Sequence, residues 1–227
     1  MDRQNVKNLE MFTRVVEFGA THVELFPKNT LAGRCFAELG AAISNVSEHA
    51  AMQLASDNAI SSNGKVRAAA RESLRRQLLQ IRDTASAIAI DTPGLKGRFR
   101  MPRENRDQHL IHAAKAFADA AEPLRKAFVQ LRVPEDFLES LNAAAAQLER
   151  SILEHGSSKT KRVNANAAIR ECIAQCFKVL TRVDAVVENT LVDDGPLLAE
   201  WSTTRHVVRV PTRVAASDVS KTPVPQA

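Results

Sequence analysis

Apolar residues recur at intervals of three and four positions along most of the chain, which places them on one face of an α-helix. The clearest pattern is a seam at spacings of 3, 4, 3 and 4, formed by Phe36, Leu39, Ile43, Val46 and Ala50. Similar patterns predict helices around residues 6–16, 66–88, 110–131, 137–152 and 169–186. Alternating strand patterns are sparse, so the sequence predicts an all-α fold.

Polar and turn-forming residues separate these segments. Clusters of Ser, Asn, Gly and Lys predict connectors at residues 56–64 and 156–166, and Pro123 predicts a kink or a break near Glu122. Long helices joined by connectors of about ten residues favour an antiparallel up-and-down helical bundle. We therefore predict five to six helices in one domain at 1–203, followed by a flexible basic tail at 204–227.

Composition agrees with packed helices and indicates where the protein resides. The 227 residues are 44% hydrophobic, but only 4% are aromatic, with one Trp and no Tyr. No stretch approaches the roughly 20 apolar residues that span a bilayer, and the chain starts without the apolar segment of a signal peptide. Three cysteines are an odd number, which argues against a disulfide framework. We expect a cytoplasmic protein with reduced cysteines and no transmembrane segment.

The net charge of +5 is concentrated in two segments. Residues 91–106 hold five cations against two acids, and residues 204–227 hold four cations against one acid. The rest of the chain is therefore close to neutral. In the first segment Arg98, Arg100 and Arg103 alternate with apolar residues, whereas Phe99 and Met101 would point the other way in an extended chain. This pattern predicts a loop that is anchored in the core and binds a partner through Arg98, Arg100, Arg103 and Arg106.

A second group of cations lies on the helix predicted at 66–88, where four arginines form a basic stripe: Arg67, Arg71, Arg75 and Arg82. Together with the loop, the stripe could neutralise several phosphates of a nucleic acid. It could also meet an anionic membrane surface, or be a solvated helix face paired with acids such as Glu72 and Asp83. No exposed aromatic platform for base stacking accompanies it.

Candidates for metal binding and catalysis are incomplete. His109 and His112 lie three apart, and Cys172 and Cys176 lie four apart, so they could join in a metal site only if their helices meet. The apolar spacing of the two cysteines fits core packing better. A nucleophile pair of Cys35 with His22 or His49 is a further alternative. No Glu-x-x-His, phosphate-loop, G-x-S-x-G or H-E-x-x-H motif is present, so we expect no cofactor and no enzyme activity.

Three segments carry a resemblance to other proteins: NLEMFTRVVEFGATH, DTPGLKGRFRMPR and LTRVDAVVENT. They resemble an uncharacterised bacterial family of alanine-rich, all-helical proteins that has no assigned function, and the likeness extends through most of the chain except the tail. The resemblance implies a bacterial cytoplasmic origin and transfers no site residue.

These observations predict a non-catalytic helical interaction or structural protein that contacts its partner through the basic loop. The partner would be another protein or a second copy of this chain in a homo-oligomer. A low-specificity nucleic-acid-binding protein is the alternative. A metal-binding helical bundle is the third hypothesis.

Overall fold

A computed structural model describes residues 1–90, 94–104 and 106–207, with Lys96 described in its backbone only. The α-helices in these ranges are α1 (Arg3–Thr21), α2 (Leu31–Ile88), α3 (Asp107–Ala121), α4 (Arg125–Gln130), α5 (Phe137–Thr190) and α6 (Gly195–Thr204). Two short 3-10 helices cover Leu95–Arg98 and Glu122–Leu124. No strand occurs in the described ranges, and the predicted all-α helical bundle is confirmed. In the same ranges, no helix combines the length and the apolar character needed to span a bilayer.

Residue contacts group the chain into two compact units. The first unit comprises Met1–Ser44 together with the described residues from Cys172 onward. Aromatic rings fill its core: the centroids of Phe18 and Trp201 lie 5.1 Å apart. Gly19 lies inside α1, and a Cβ there would stand 2.6 Å from the ring of Phe36. The glycine therefore permits close packing.

The second unit, Asn45–Glu171, contains most of α2, all of α3 and α4, and the first part of α5. Its core alternates large and small apolar side chains. Leu74, Leu78, Leu110, Phe117 and Leu141 are buried there among alanines. The prediction of one domain at 1–203 stays a prediction.

Two predicted connectors are wrong. Residues 56–64 lie inside the continuous helix α2, and residues 156–166 lie inside α5. The polar side chains are accommodated within the helices, since Ser56 Oγ donates to the carbonyl of Met52 (2.8 Å). Between the helices, Asn63 Nδ2 donates to Ser158 Oγ (3.1 Å). Residues that compete with the helical backbone in isolation find partners here, so the helices continue.

Other predicted boundaries agree with the structure. Thr30 precedes α2, and its Oγ1 accepts from the backbone N–H of Gly33 (3.2 Å). The helix that contains the 110–121 pattern ends at Ala121, and a 3-10 turn containing Pro123 separates α3 from α4. The predicted tail begins at the end of α6, and its residues 208–227 lie outside the described part of the chain.

Candidate functional site: the arginine loop and its Asp107 brace

The loop that precedes α3 is anchored by apolar side chains of the second unit. Gly94 has a left-handed backbone (φ 88°) and opens the 3-10 helix Leu95–Arg98. Leu95 and Phe99 are buried, and only 2% of Phe99 remains exposed. The Phe99 ring packs edge-on against Phe117, with centroids 5.3 Å apart. The sequence prediction that Phe99 anchors this loop in the core is confirmed.

Three arginines of the loop face outward. Arg98, Arg100 and Arg103 are exposed, whereas Met101 between them is half-buried and packs against the core. In residues 1–90, 94–104 and 106–207, no hydrogen bond or ion pair engages these three side chains. Arg106 differs, because its Nε lies 2.9 Å from Glu104 Oε2. The loop thus presents three cations whose charge no described acid neutralises.

A buried carboxylate fixes the end of the loop. Asp107 is the first residue of α3, and its side chain is 4% exposed. Arg67 Nε lies 2.6 Å from one carboxylate oxygen, and Arg71 Nε donates to the other. Both arginines belong to α2, so the two ion pairs tie the start of α3 to that helix. We refer to Arg67, Arg71 and Asp107 as the Asp107 brace.

The ionisation of the brace follows from these contacts. Burial alone would raise the pKa of Asp107, but the hydrogen bonds from Arg71 and Arg67 outweigh it, and the pKa lies below its ordinary value. The hydrogen bond to Asp107 likewise raises the pKa of Arg71. At neutral pH the brace therefore consists of one carboxylate and two guanidinium cations, with a net charge of one positive unit.

The other arginines of the predicted basic stripe have different surroundings. Arg82 pairs with its neighbour Asp83 (Nη2 to Oδ1, 2.6 Å), as the solvated-face alternative expected. Arg75 is exposed. The structure thus engages three of the four arginines with carboxylates, and nucleic-acid binding by the stripe stays a prediction.

The metal candidates lie in separate parts of the chain. His109 and His112 are exposed on α3 in the second unit, whereas Cys172 and Cys176 belong to the first unit. Within the described residues, no group of three or more His, Cys, Asp or Glu side chains is arranged to hold a metal ion. Burial, reinforced by the nearby Cys172, raises the pKa of Cys176 to about 11, so this thiol stays protonated at neutral pH.

A groove between α2 and α5 gives the second unit another surface. Its volume is about 460 Å³, and its lining comes from His49, Met52, Ala55, Ser56, Lys161, Asn164, Ala165 and Ala168. Met52 is half exposed there. The groove is mainly apolar, whereas the loop surface is defined by its arginines.

Comparisons with protein-family models, curated proteins and solved structures give no match to this chain. Sequence reasoning found the loop arginines and the Phe99 anchor. It missed Asp107, because its partners lie 36 and 40 positions earlier in the chain and no local spacing connects them.

Proposed function

We propose that this chain is a non-catalytic helical interaction protein of the bacterial cytoplasm, whose partner protein binds the arginine loop 98–106. One observation supports the proposal most. Arg98, Arg100 and Arg103 are exposed and have no partner in the described part of the chain, although they stand on a loop that Phe99 anchors in the core.

Anchoring matters because binding costs conformational entropy. A loop whose backbone is already fixed by buried Leu95 and Phe99 loses less freedom when a partner binds than a free connector would. Arginine is also enriched at interface hot spots, since its planar guanidinium binds carboxylates through two parallel hydrogen bonds. The complementary partner therefore carries an acidic surface.

Nucleic acid is the alternative partner, and the structure offers it less support. The loop cations would contact phosphates, but Phe99, the aromatic residue of the loop, is buried and cannot stack on a base. Any nucleic-acid binding would therefore be electrostatic and would weaken steeply as the salt concentration rises.

The test is an affinity purification of the tagged protein from its native cytoplasm, with and without nuclease. The informative variant replaces Arg98, Arg100 and Arg103 with Glu, which reverses their charge. The matched control reverses three exposed cations elsewhere in the second unit, Arg76, Lys126 and Arg150.

We expect one specific protein that survives nuclease, is retained by the control variant and is lost by the loop variant. Loss with both variants would indicate non-specific electrostatic attraction and would contradict the proposal. Material that nuclease and salt remove would favour the nucleic-acid alternative instead.

A further inference from the structure

The Asp107 brace uses its arginines in an unusual way. One guanidinium can bind both oxygens of a carboxylate through two parallel hydrogen bonds. Here two arginines share one carboxylate, and each contributes only its Nε: Arg67 to Oδ2 and Arg71 to Oδ1. Each arginine therefore satisfies one oxygen of the buried carboxylate with a single nitrogen.

The remaining nitrogens of both arginines are available. In the part of the chain that the structure describes, no hydrogen bond or ion pair engages an Nη atom of Arg67 or Arg71. The two side chains are 32% and 37% exposed, whereas Asp107 is 4% exposed. The carboxylate therefore holds the inner edges of the two guanidinium groups, while about a third of each arginine side chain faces solvent.

The geometry also makes the pair preorganised. The two Nε atoms contact the two oxygens of one carboxylate, so both guanidinium groups are held at the same residue. Asp107 is fixed by its burial and by its place in the first turn of α3. An anion that bound the outer Nη groups would not have to order two long side chains, which is the main cost of forming an exposed ion pair.

We propose that Arg67 and Arg71 form a binding site for a phosphate-type oxyanion, which accepts hydrogen bonds from their Nη groups while Asp107 holds them in place. Phosphate matches the paired guanidinium forks in geometry, and the brace has one uncompensated positive charge. The phosphate is either free inorganic phosphate or the phosphoryl group of a larger molecule. This site goes beyond the proposed function and does not depend on it, because neither arginine belongs to the loop.

Calorimetric titration of the full chain with inorganic phosphate at constant ionic strength tests the site. The main variant replaces Arg67 and Arg71 with Lys, which retains both charges and removes the forks. We expect it to bind phosphate about tenfold more weakly or worse. The control replaces Arg75 and Arg76 with Lys on the same helix and should bind within about twofold of the wild type.

A third variant separates a braced site from a diffuse positive patch. Asp107→Asn removes a negative charge, so a diffuse patch would bind phosphate more tightly. The braced site predicts weaker binding, because the two guanidinium groups lose their common anchor. Circular dichroism checks that the variant is folded. If it is not, the double lysine variant decides alone.

The absence of phosphate binding by the wild type at millimolar phosphate would overturn the proposal. Equal binding by the double lysine variant, or tighter binding by folded Asp107→Asn, would overturn it as well. A parallel titration with phenyl phosphate distinguishes the two sources. Tighter binding of the monoester supports a site for the phosphoryl group of a larger molecule, and tighter binding of inorganic phosphate supports a site for the free ion.

Discussion

Residues 56–64 and 156–166 resemble the loop at 94–104 in composition but differ from it in structure. All three are polar and contain residues that favour turns. The first two continue helices α2 and α5, whereas the third leaves the helical path between α2 and α3. The difference teaches which local signals end a helix and which ones neighbouring helices override.

The helical segments satisfy their polar side chains without leaving the helix. Ser158 Oγ donates to the carbonyl of Glu154 (3.0 Å) and also accepts from Asn63 across the helix pair. Asp57 and Arg162 form an ion pair between the same two helices (3.4 Å). Polar residues therefore contribute contacts between α2 and α5, and packing exceeds their weak preference for turns.

The loop contains signals that packing does not override. Pro102 lacks the backbone N–H that a helix interior requires, and Gly94 adopts a left-handed conformation that other residues disfavour. Phe99 then provides an apolar contact that holds the non-helical path in place. Proline and a left-handed glycine, rather than polarity, mark the interruption.

The largest expected effect concerns the anchor of the loop. Phe99→Ala should lower the free energy of unfolding by about 3 to 5 kcal/mol, because a fully buried ring is removed and a cavity remains between Phe117 and Phe128. Chemical denaturation measures the change. Phe177→Ala, at a ring that is 41% exposed in the first unit, is the comparison and should cost less. An unchanged unfolding midpoint for Phe99→Ala would mean that the loop is a free connector.

A proline within residues 56–64 should have the next largest effect. Ser62 is exposed and lies inside α2, so Ser62→Pro removes a helical hydrogen bond and should cost about 3 kcal/mol. Ser62→Ala controls for loss of the hydroxyl and should leave stability almost unchanged. If the proline variant unfolded at the wild-type midpoint, residues 56–64 would be a connector after all.

The Asp107 brace should make stability depend on pH. Asp107→Asn is expected to cost about 2 kcal/mol at neutral pH, because it weakens two hydrogen bonds between charged groups. The pKa of Asp107 is lower in the folded protein, so its contribution is present above the ordinary Asp range and is lost as the pH falls through the folded value. The difference in the free energy of unfolding between wild type and Asp107→Asn should therefore shrink below about pH 4.

Denaturation curves of both proteins across this pH range measure the effect. Asp83→Asn, at an exposed carboxylate that pairs with Arg82, is the control and should show little pH-dependent difference. A constant gap between wild type and Asp107→Asn down to strongly acidic pH would show that the brace does not depend on the charge of Asp107.

Two glycines test the comparison at its smallest scale. Gly156 lies inside α5 in open space, so Gly156→Ala should stabilise the protein by up to about 1 kcal/mol. Gly94 has a positive φ, so Gly94→Ala should destabilise it by about 1 kcal/mol although no atom obstructs the new methyl group. Thermal unfolding should show a higher midpoint temperature for Gly156→Ala and a lower one for Gly94→Ala than for the wild type. Equal changes in the midpoint temperature of the two variants would contradict the distinction between Gly156 in a helix and Gly94 in the loop.

The sequence predicted the parts of the fold that depend on local signals. Helical spacing identified the apolar faces, and Pro123 marked the break after α3. The continuity of α2 and α5 could not be predicted locally, because it depends on contacts such as Asn63 with Ser158, which are 95 positions apart. The burial of Phe99 agrees with the predicted anchor, but the predicted extended segment is wrong at Arg98, which ends the 3-10 helix Leu95–Arg98. The Asp107 brace could not be predicted, because it depends on two helices meeting.

Hydrogen exchange of backbone amides, resolved by residue, tests the central claim most directly. This claim is that residues 56–64 and 156–166 are α-helical, whereas the loop lies outside the α-helices. The account predicts slow exchange in both segments, at rates close to those of the flanking turns of α2 and α5. Amides of Arg100, Met101 and Arg103 should exchange faster, since they lie outside the helices. Exchange in 56–64 or 156–166 as fast as in the loop would contradict the account.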